Sequence, residues 1–208
     1  MKSTPSPVIW VLDDEPIVRQ SLRWLLESID LQVRDFARAQ TFLEALEDEN
    51  PACVLLDIRM PDMSGLEVQQ LLQTRMPHLP VIFMTGHGDI AMAVRAMRAG
   101  AWNFFEKPFR DQELLESVQG ALRWQEEQLE QKQNQQSFLR CLQTLTPREQ
   151  EVFDALITGK TTKQCAAELG ISTKTVDVHR FHLMQKLGVD SIATLIRRAL
   201  SLGYLKER

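Results

Sequence analysis

The chain has 208 residues, 44% apolar and 25% charged, a balance that excludes wholesale disorder and fibrous repeats and admits one large domain or two small ones. Its apolar runs reach only five residues, as in Val8–Leu12, far short of the roughly 20 a membrane span needs. No secretion signal opens the sequence, and Cys53, Cys141 and Cys165 are too widely spaced for a disulfide framework or a zinc site, so a cytoplasmic protein without a membrane partner is expected. The net charge of −4 is uneven: residues 1–123 carry 12 Lys/Arg against 18 Asp/Glu, and residues 144–208 carry 10 against 7. An acidic module followed by a basic one suggests two partners, the second compatible with nucleic acid.

In chain order, Val8–Leu12 is an apolar strand that stops at Asp13-Asp14-Glu15-Pro16. Val18, Leu22, Leu25, Leu26 and Ile29 then repeat at helical spacing, with Pro16 suited to the first turn. Residues 31–36 alternate as a less buried strand, and residues 39–46 read as a short helix. Residues 52–56 are a second apolar strand ending at Asp57, followed by a helix over 65–74. Residues 81–84 are a third apolar strand ending in Thr85-Gly86, followed by a helix that Asp89 can cap and Gly100 can end. Residues 102–105 form the last strand, ending in Glu106-Lys107-Pro108, and Asp111 is placed to cap a final helix. Strands apolar on both faces, alternating with helices, predict a doubly wound α/β domain with a five-stranded parallel sheet.

Ligands of such sheets sit at the carboxyl ends of the strands. Here those ends carry Asp13, Asp14, Asp57, Thr85 and Lys107. Carboxylates crowded at one rim repel unless a divalent cation joins them, and oxygen ligands suit Mg²⁺ (or Mn²⁺). A carboxylate can also attack phosphorus to form an aspartyl-phosphate; Asp57, alone at the end of a central strand, is the candidate. Asp13 and Asp14 would hold the metal, Lys107 would face the phosphoryl oxygens and Thr85 would donate its hydroxyl. Any one of these residues taken singly is an ordinary turn or cap residue; the joint pattern is what carries the reading.

From residue 125 to residue 143 the chain has seven Gln and no Pro, either an extension of the last helix into a linker or a flexible tether. Beyond it everything is helical. Thr146-Pro147-Arg148-Glu149 is a helix start with a cap, an N1 proline and the capping-box acid. A helix over 162–169, a turn at Gly170 and a helix over 173–187 make a helix-turn-helix, with a last helix over 191–202. With Val176, Leu183 and Leu187 inward, Lys174, Asp177, Val178, Phe181 and Gln185 face out. Val178 and Phe181 could touch thymine methyls and Asp177 could accept from cytosine, while Lys163, Lys174, Arg180 and Lys186 suit phosphates. Thr175 lies in the first turn of the same helix. A small helical bundle that binds protein is the alternative.

These strings resemble known families. Val11-Leu-Asp-Asp-Glu-Pro16, Leu56-Asp-Ile-Arg-Met-Pro-Asp-Met-Ser-Gly65, Met84-Thr-Gly-His-Gly-Asp89 and Phe105-Glu-Lys-Pro108 resemble the receiver domain of bacterial two-component response regulators over residues 8–122. Leu145-Thr-Pro-Arg-Glu149, Ala166-Ala-Glu-Leu-Gly-Ile-Ser172, Thr175-Val-Asp-Val-His-Arg180 and Met184-Gln-Lys-Leu-Gly188 resemble the LuxR-type DNA-binding domain. Together they look like the NarL/FixJ class, with the 85–89 and 105–109 stretches closest to the FixJ pattern. One departure is Asp177, where the class often has Lys.

The resemblance implies a receiver over 1–123, a linker over 124–143 and a DNA-binding domain over 144–208. It implies that Asp57 takes a phosphoryl group from a sensor histidine kinase. Mg²⁺ would be held by Asp14, Asp57 and the Arg59 carbonyl, with Asp13 through water. A Thr/aromatic switch falls on Thr85 and Phe104, though plain core packing also explains Phe104. Phosphorylation would favour a homodimer on palindromic promoter DNA, with RNA polymerase as a further partner. Two other readings stand beside this one. An Asp-nucleophile phosphatase would want a second Asp where Arg59 stands. A signalling adaptor would bind protein through its helical module.

Overall fold

A computed structural model describes residues 7–86 and 90–204. The expected cap at Asp89 lies outside the described residues, as does His87. The chain divides into two compact units, Met1–Gln128 and Leu129–Arg208.

The first unit is a five-stranded parallel sheet of β1 (Val8–Leu12), β2 (Gln32–Phe36), β3 (Cys53–Asp57), β4 (Val81–Thr85) and β5 (Asn103–Glu106), in the order β2-β1-β3-β4-β5. The helices are α1 (Pro16–Glu27), α2 (Ala39–Ala45), α3 (Gly65–Arg75), α4 (Ile90–Arg98) and α5 (Asp111–Leu142). Asp57 and Thr85 are the last residues of their strands rather than the first residues beyond them. Asp111 begins α5 instead of capping it.

The period of two along each strand sorts the core into two layers. Trp10, Leu12, Val54, Leu56 and Phe83 pack with Phe42 of α2, Val68 and Leu72 of α3 and Ala96 of α4. Ile9, Val11, Leu55, Ile82 and Met84 pack with Leu22 and Leu26 of α1 and Leu114 and Val118 of α5. Continuous apolar runs are needed because both faces are covered.

Helix α3 starts unusually close to β3. Ser64 caps it and forms a reciprocal capping box with Glu67, and the Gly65 amide donates to the Ile58 carbonyl at 2.9 Å. A Cβ at Gly65 would overlap the Asp57 carbonyl oxygen and lie 3.1 Å from Ile58 Cα, so only glycine permits this approach.

The second unit contains α6 (Pro147–Ile157), α7 (Thr162–Leu169), α8 (Thr173–Leu187) and α9 (Ile192–Ser201). Thr146 and Glu149, and Thr161 and Gln164, form capping boxes. Ser172 caps α8, and Gly170 and Gly188 end α7 and α8 in the left-handed conformation. The core joins Val152, Phe153, Leu156, Cys165, Val176, Leu183, Leu187 and Leu195 with Phe138 and Leu142 of α5. Residues 124–143, expected as a helical Gln-rich linker, are helical up to Leu142, and Phe138 and Leu142 at the far end are core residues of the helical unit. Phe138, Cys141 and Leu142 already show helical spacing in the sequence. The three cysteines are free thiols, and no described helix is long and apolar enough to cross a membrane.

Glu149 is 4% exposed. Lys186 Nζ of α8 donates to its Oε2 at 2.6 Å and the Thr146 amide donates to the same atom at 2.8 Å. The Lys186 hydrogen bond, with help from Thr146 and against the cost of burial, holds the Glu149 carboxyl down to about 2.

Two outcomes are expected. Because the folded value lies below the ordinary 4.5, the contribution of charged Glu149 is complete above the ordinary value and is lost as pH falls through the folded one. Glu149→Gln should therefore unfold more easily than wild type at neutral pH, by about 1 kcal/mol since Lys186 is partly solvated. Urea titrations should show the gap closing as pH drops toward about 2; a gap independent of pH would contradict this. Gly65→Ala should destabilise the first unit by about 1–3 kcal/mol through overpacking, read as a lower denaturation midpoint.

Candidate functional site: an acidic rim and a recognition helix

Three strand ends meet at one ammonium group. Asp13 directly follows β1, where its amide donates to the Phe36 carbonyl at 3.2 Å. Asp57 ends β3. Lys107 follows β5, and its amide donates to the Thr85 carbonyl at 2.8 Å, which extends the β4–β5 pairing one residue past β5. Lys107 Nζ then donates to Asp13 Oδ2 at 2.7 Å and to Asp57 Oδ1 at 2.9 Å. The Lys107–Pro108 bond that follows is cis.

The remaining carboxylate oxygens are held by main chain. The Glu15 amide donates to Asp13 Oδ1 at 2.9 Å and the Arg59 amide to Asp57 Oδ2 at 2.7 Å. Asp13 and Thr85 are completely buried and Asp57 is nearly so. Burial pushes the Asp57 carboxyl up, and neighbouring Asp13 adds to it, so that Lys107 and the Arg59 amide do not bring it back to its ordinary value. Burial also works against the Lys107 ammonium, but the two carboxylates outweigh it and raise its pKa. The rim therefore carries more negative charge than Lys107 offsets.

The sequence expectation grouped Asp13, Asp14 and Asp57 as one metal-holding set. The structure brings Asp13 and Asp57 together on Lys107 and leaves Asp14 exposed at the turn. No cluster of three His, Cys, Asp or Glu side chains among the described residues is already arranged around a metal position. The donor chemistry nevertheless fits a hard cation: the rim groups are oxygens, and their charge is incompletely offset. Arg59 has its side chain in solvent. A groove of about 680 Å³ opens beside these residues, with Asp14, Arg59 and Met60 on its lining as well as Met92 and Arg95 of α4.

Phe104 is half-buried against the Trp10 side of the sheet. It pairs in register with Phe83, while Thr85 pairs with Glu106. Registered neighbours share a face and residues two apart share a face, so Thr85 and Phe104 lie on the same face of the sheet, which is also the α4 face.

Arg19 of α1, absent from the sequence expectation, also belongs to the acid turn: its Nη1 donates to the Asp13 and Asp14 carbonyls. Its signal was an Arg19/Arg23 pair at helical spacing on α1, together with an acid, Asp35, near the end of the adjacent strand.

In the second unit Val176, Leu183 and Leu187 are buried as expected, and Val178 and Phe181 are 47% and 57% exposed. Lys163, Lys174, Asp177 and Gln185 are exposed too. Arg180 is half-buried, within 3.5 Å of Thr162 Oγ1 and 3.7 Å of Asp177. Thr175 Oγ1 lies 2.8 Å from Ser172 Oγ in the cap of α8. Lys186, expected at a phosphate, is exposed and its Nζ donates to Glu149 of α6 within the same unit.

Comparison with known proteins agrees with both halves. Residues 9–119 match the family described as response regulator receiver domain, and residues 143–199 match the family described as bacterial regulatory proteins, luxR family. The transcriptional regulatory protein TdiR of Thauera aromatica is 42% identical over 195 residues, 94% of this chain and 86% of that protein. The solved structure of the response regulator StyR is 42% identical with a TM-score of 0.78, covering 94% of this chain and 99% of that one. Full-length FixJ from B. japonicum is 37% identical with a TM-score of 0.60, covering 98% and 100%. These likenesses are to regulators, which in general terms speaks against the phosphatase alternative. With its carboxylate-lined parallel sheet followed by a helix-turn-helix unit, the chain belongs to the NarL/FixJ family of response regulators, transcriptional regulators that join a receiver domain to a LuxR-type DNA-binding domain.

Proposed function

We propose that Asp57 is the phosphoacceptor of a cytoplasmic regulator whose phosphorylation, by a partner sensor histidine kinase, favours dimerisation and promoter binding. The observation that carries this reading is the Lys107 ammonium shared by Asp13 and Asp57 at the carboxyl ends of adjacent strands. In the reaction an Asp57 carboxylate oxygen forms a bond to phosphorus as the donor's P–N bond to a kinase histidine breaks. A Mg²⁺ or Mn²⁺ ion held by Asp13, Asp14, Asp57 and the Arg59 carbonyl would offset charge on the phosphoryl oxygens. Lys107 keeps one ammonium at the acceptor, and the Thr85 hydroxyl is the neutral donor on the adjacent strand.

Phosphorylation brings about −1.5 to −2 charges to a rim that is already negative. Lys107 and Thr85 are drawn to it, and Phe104, on the face that Thr85 shares, moves into the space Thr85 leaves. That alters the α4–β5 face and favours pairing of two chains, matched to two half-sites on DNA. On the DNA, Val178 and Phe181 meet base edges, with Asp177 beside them. Lys163, Lys174, Arg180 and Thr175 serve the phosphates. Lys186, which also donates to Glu149, serves them from the other end of α8. RNA polymerase is the further partner of a promoter-bound dimer.

The direct test is a gel shift with and without acetyl phosphate, which should raise promoter affinity for wild type and leave Asp57→Asn unchanged and unlabelled. Equal affinity in both states, or labelling of Asp57→Asn, would remove the switch. Phe181→Ala should weaken specific binding by about 1–3 kcal/mol while changing non-specific binding little; a uniform loss across sequences would show that Phe181 does not read bases.

A further inference from the structure

The turn carrying Asp13 and Asp14 is gripped by a residue outside the rim. Arg19 of α1 donates through Nη1 to the Asp13 carbonyl at 2.7 Å and to the Asp14 carbonyl at 3.0 Å. Its Nε donates to Asp35 Oδ2 of β2 at 3.1 Å. The side chain is only 16% exposed. Among the described residues no ion pair joins Arg19 to either carboxylate of the turn, so its grip is on main chain.

Two successive carbonyls converging on one nitrogen fix the peptides that follow Asp13 and Asp14, and with them the directions in which both carboxylates leave the turn. Asp13 is sent into the buried pair with Lys107 and Asp14 to the exposed edge. The fork of a guanidinium is suited to this, since it offers several donors in a rigid plane. Asp35 braces the fork from the other side, with its second oxygen on Arg23. Arg23 makes an instructive contrast. It holds the same Asp35, but its other bonds run to the Val33 carbonyl and Glu27, not to the acid turn.

We propose that Arg19, braced by Asp35, is a positioning residue that presets the Asp13–Asp14 turn for a divalent cation. The inference rests on the phosphoacceptor reading of the rim. A small hard cation tolerates little departure from its preferred geometry, so oxygens already oriented bind it more tightly than oxygens that must be ordered on binding.

The experiment titrates full-length wild type, Arg19→Ala, Arg19→Lys and Arg23→Ala with MgCl₂ by calorimetry. It also follows labelling by acetyl phosphate across a magnesium series, and amide exchange at residues 13–15 without metal. Arg19→Ala is expected to weaken magnesium binding about tenfold, to speed exchange at the turn, and to label slowly at limiting magnesium but normally at saturation. Arg19→Lys, which keeps the charge and the fold but cannot span both carbonyls and Asp35, is expected to weaken binding several-fold. Arg23→Ala is expected to stay within about twofold of wild type. Unchanged affinity in both Arg19 variants overturns the proposal, as does an equal loss in Arg23→Ala, which would mark general loosening of α1. A wild type that takes neither magnesium nor phosphate overturns the reading of the rim itself, and is seen before any variant is compared.

Discussion

Everything in the first unit converges on the ammonium of Lys107 held between two buried carboxylates. Asp13 and Asp57 stand at the ends of neighbouring strands, where burial disfavours the charge of Asp57 and neighbouring Asp13 adds to that cost. One cation bonded to both makes the arrangement stable. Removing a partner from so buried a group typically costs about 3–5 kcal/mol, because an unpaired charge is left behind. Lys107 is 94 residues from Asp13 and 50 from Asp57, and it reaches them because its amide continues the β4–β5 pairing. The site therefore exists only when β1, β3, β4 and β5 are in register. One positive charge against two buried negative ones also leaves the rim prepared for further cationic charge, which a divalent cation held there would supply.

The sheet gives this rim its direction. In a parallel sheet every strand ends on the same side, so residues that follow separate apolar runs are gathered at one edge. Around that edge the main chain is as important as the side chains. The Glu15 and Arg59 amides fix the carboxylate rotamers, Arg19 fixes the acid turn, and Gly65 lets α3 begin against the Asp57 carbonyl. The rim is thus made of groups with little freedom, which suits the proposed phosphoryl transfer, a reaction served mostly by positioning and charge compensation.

The helical unit solves a different problem. It must keep one face of α8 available, and it does so by burying the opposite stripe of Val176, Leu183 and Leu187 and by tying the far end of the helix to α6 through Lys186 and Glu149. An exposed Phe181 beside an exposed Val178 is costly in water. Such a pair on a capped helix that also carries Lys174 and Arg180 is suited to be covered by something both negatively charged and partly apolar, which a DNA major groove is.

Both folds were largely legible from the sequence. Unbroken apolar runs gave the buried strands, helical spacing gave the helices, and Thr146, Ser172, Gly170 and Gly188 marked helix ends, because those signals act over a few residues. The strand-end residues could be assigned to one rim since a parallel sheet leaves no other choice. Tertiary structure alone decided which of them touch. That Asp14 faces outward, that Lys186 meets a carboxylate 37 residues away, and that Arg19 binds carbonyls all follow from register and helix packing. Phe138 and Leu142 belong to the second core for the same reason: a helix face becomes core only when another element arrives to cover it, and local pattern does not say which one will.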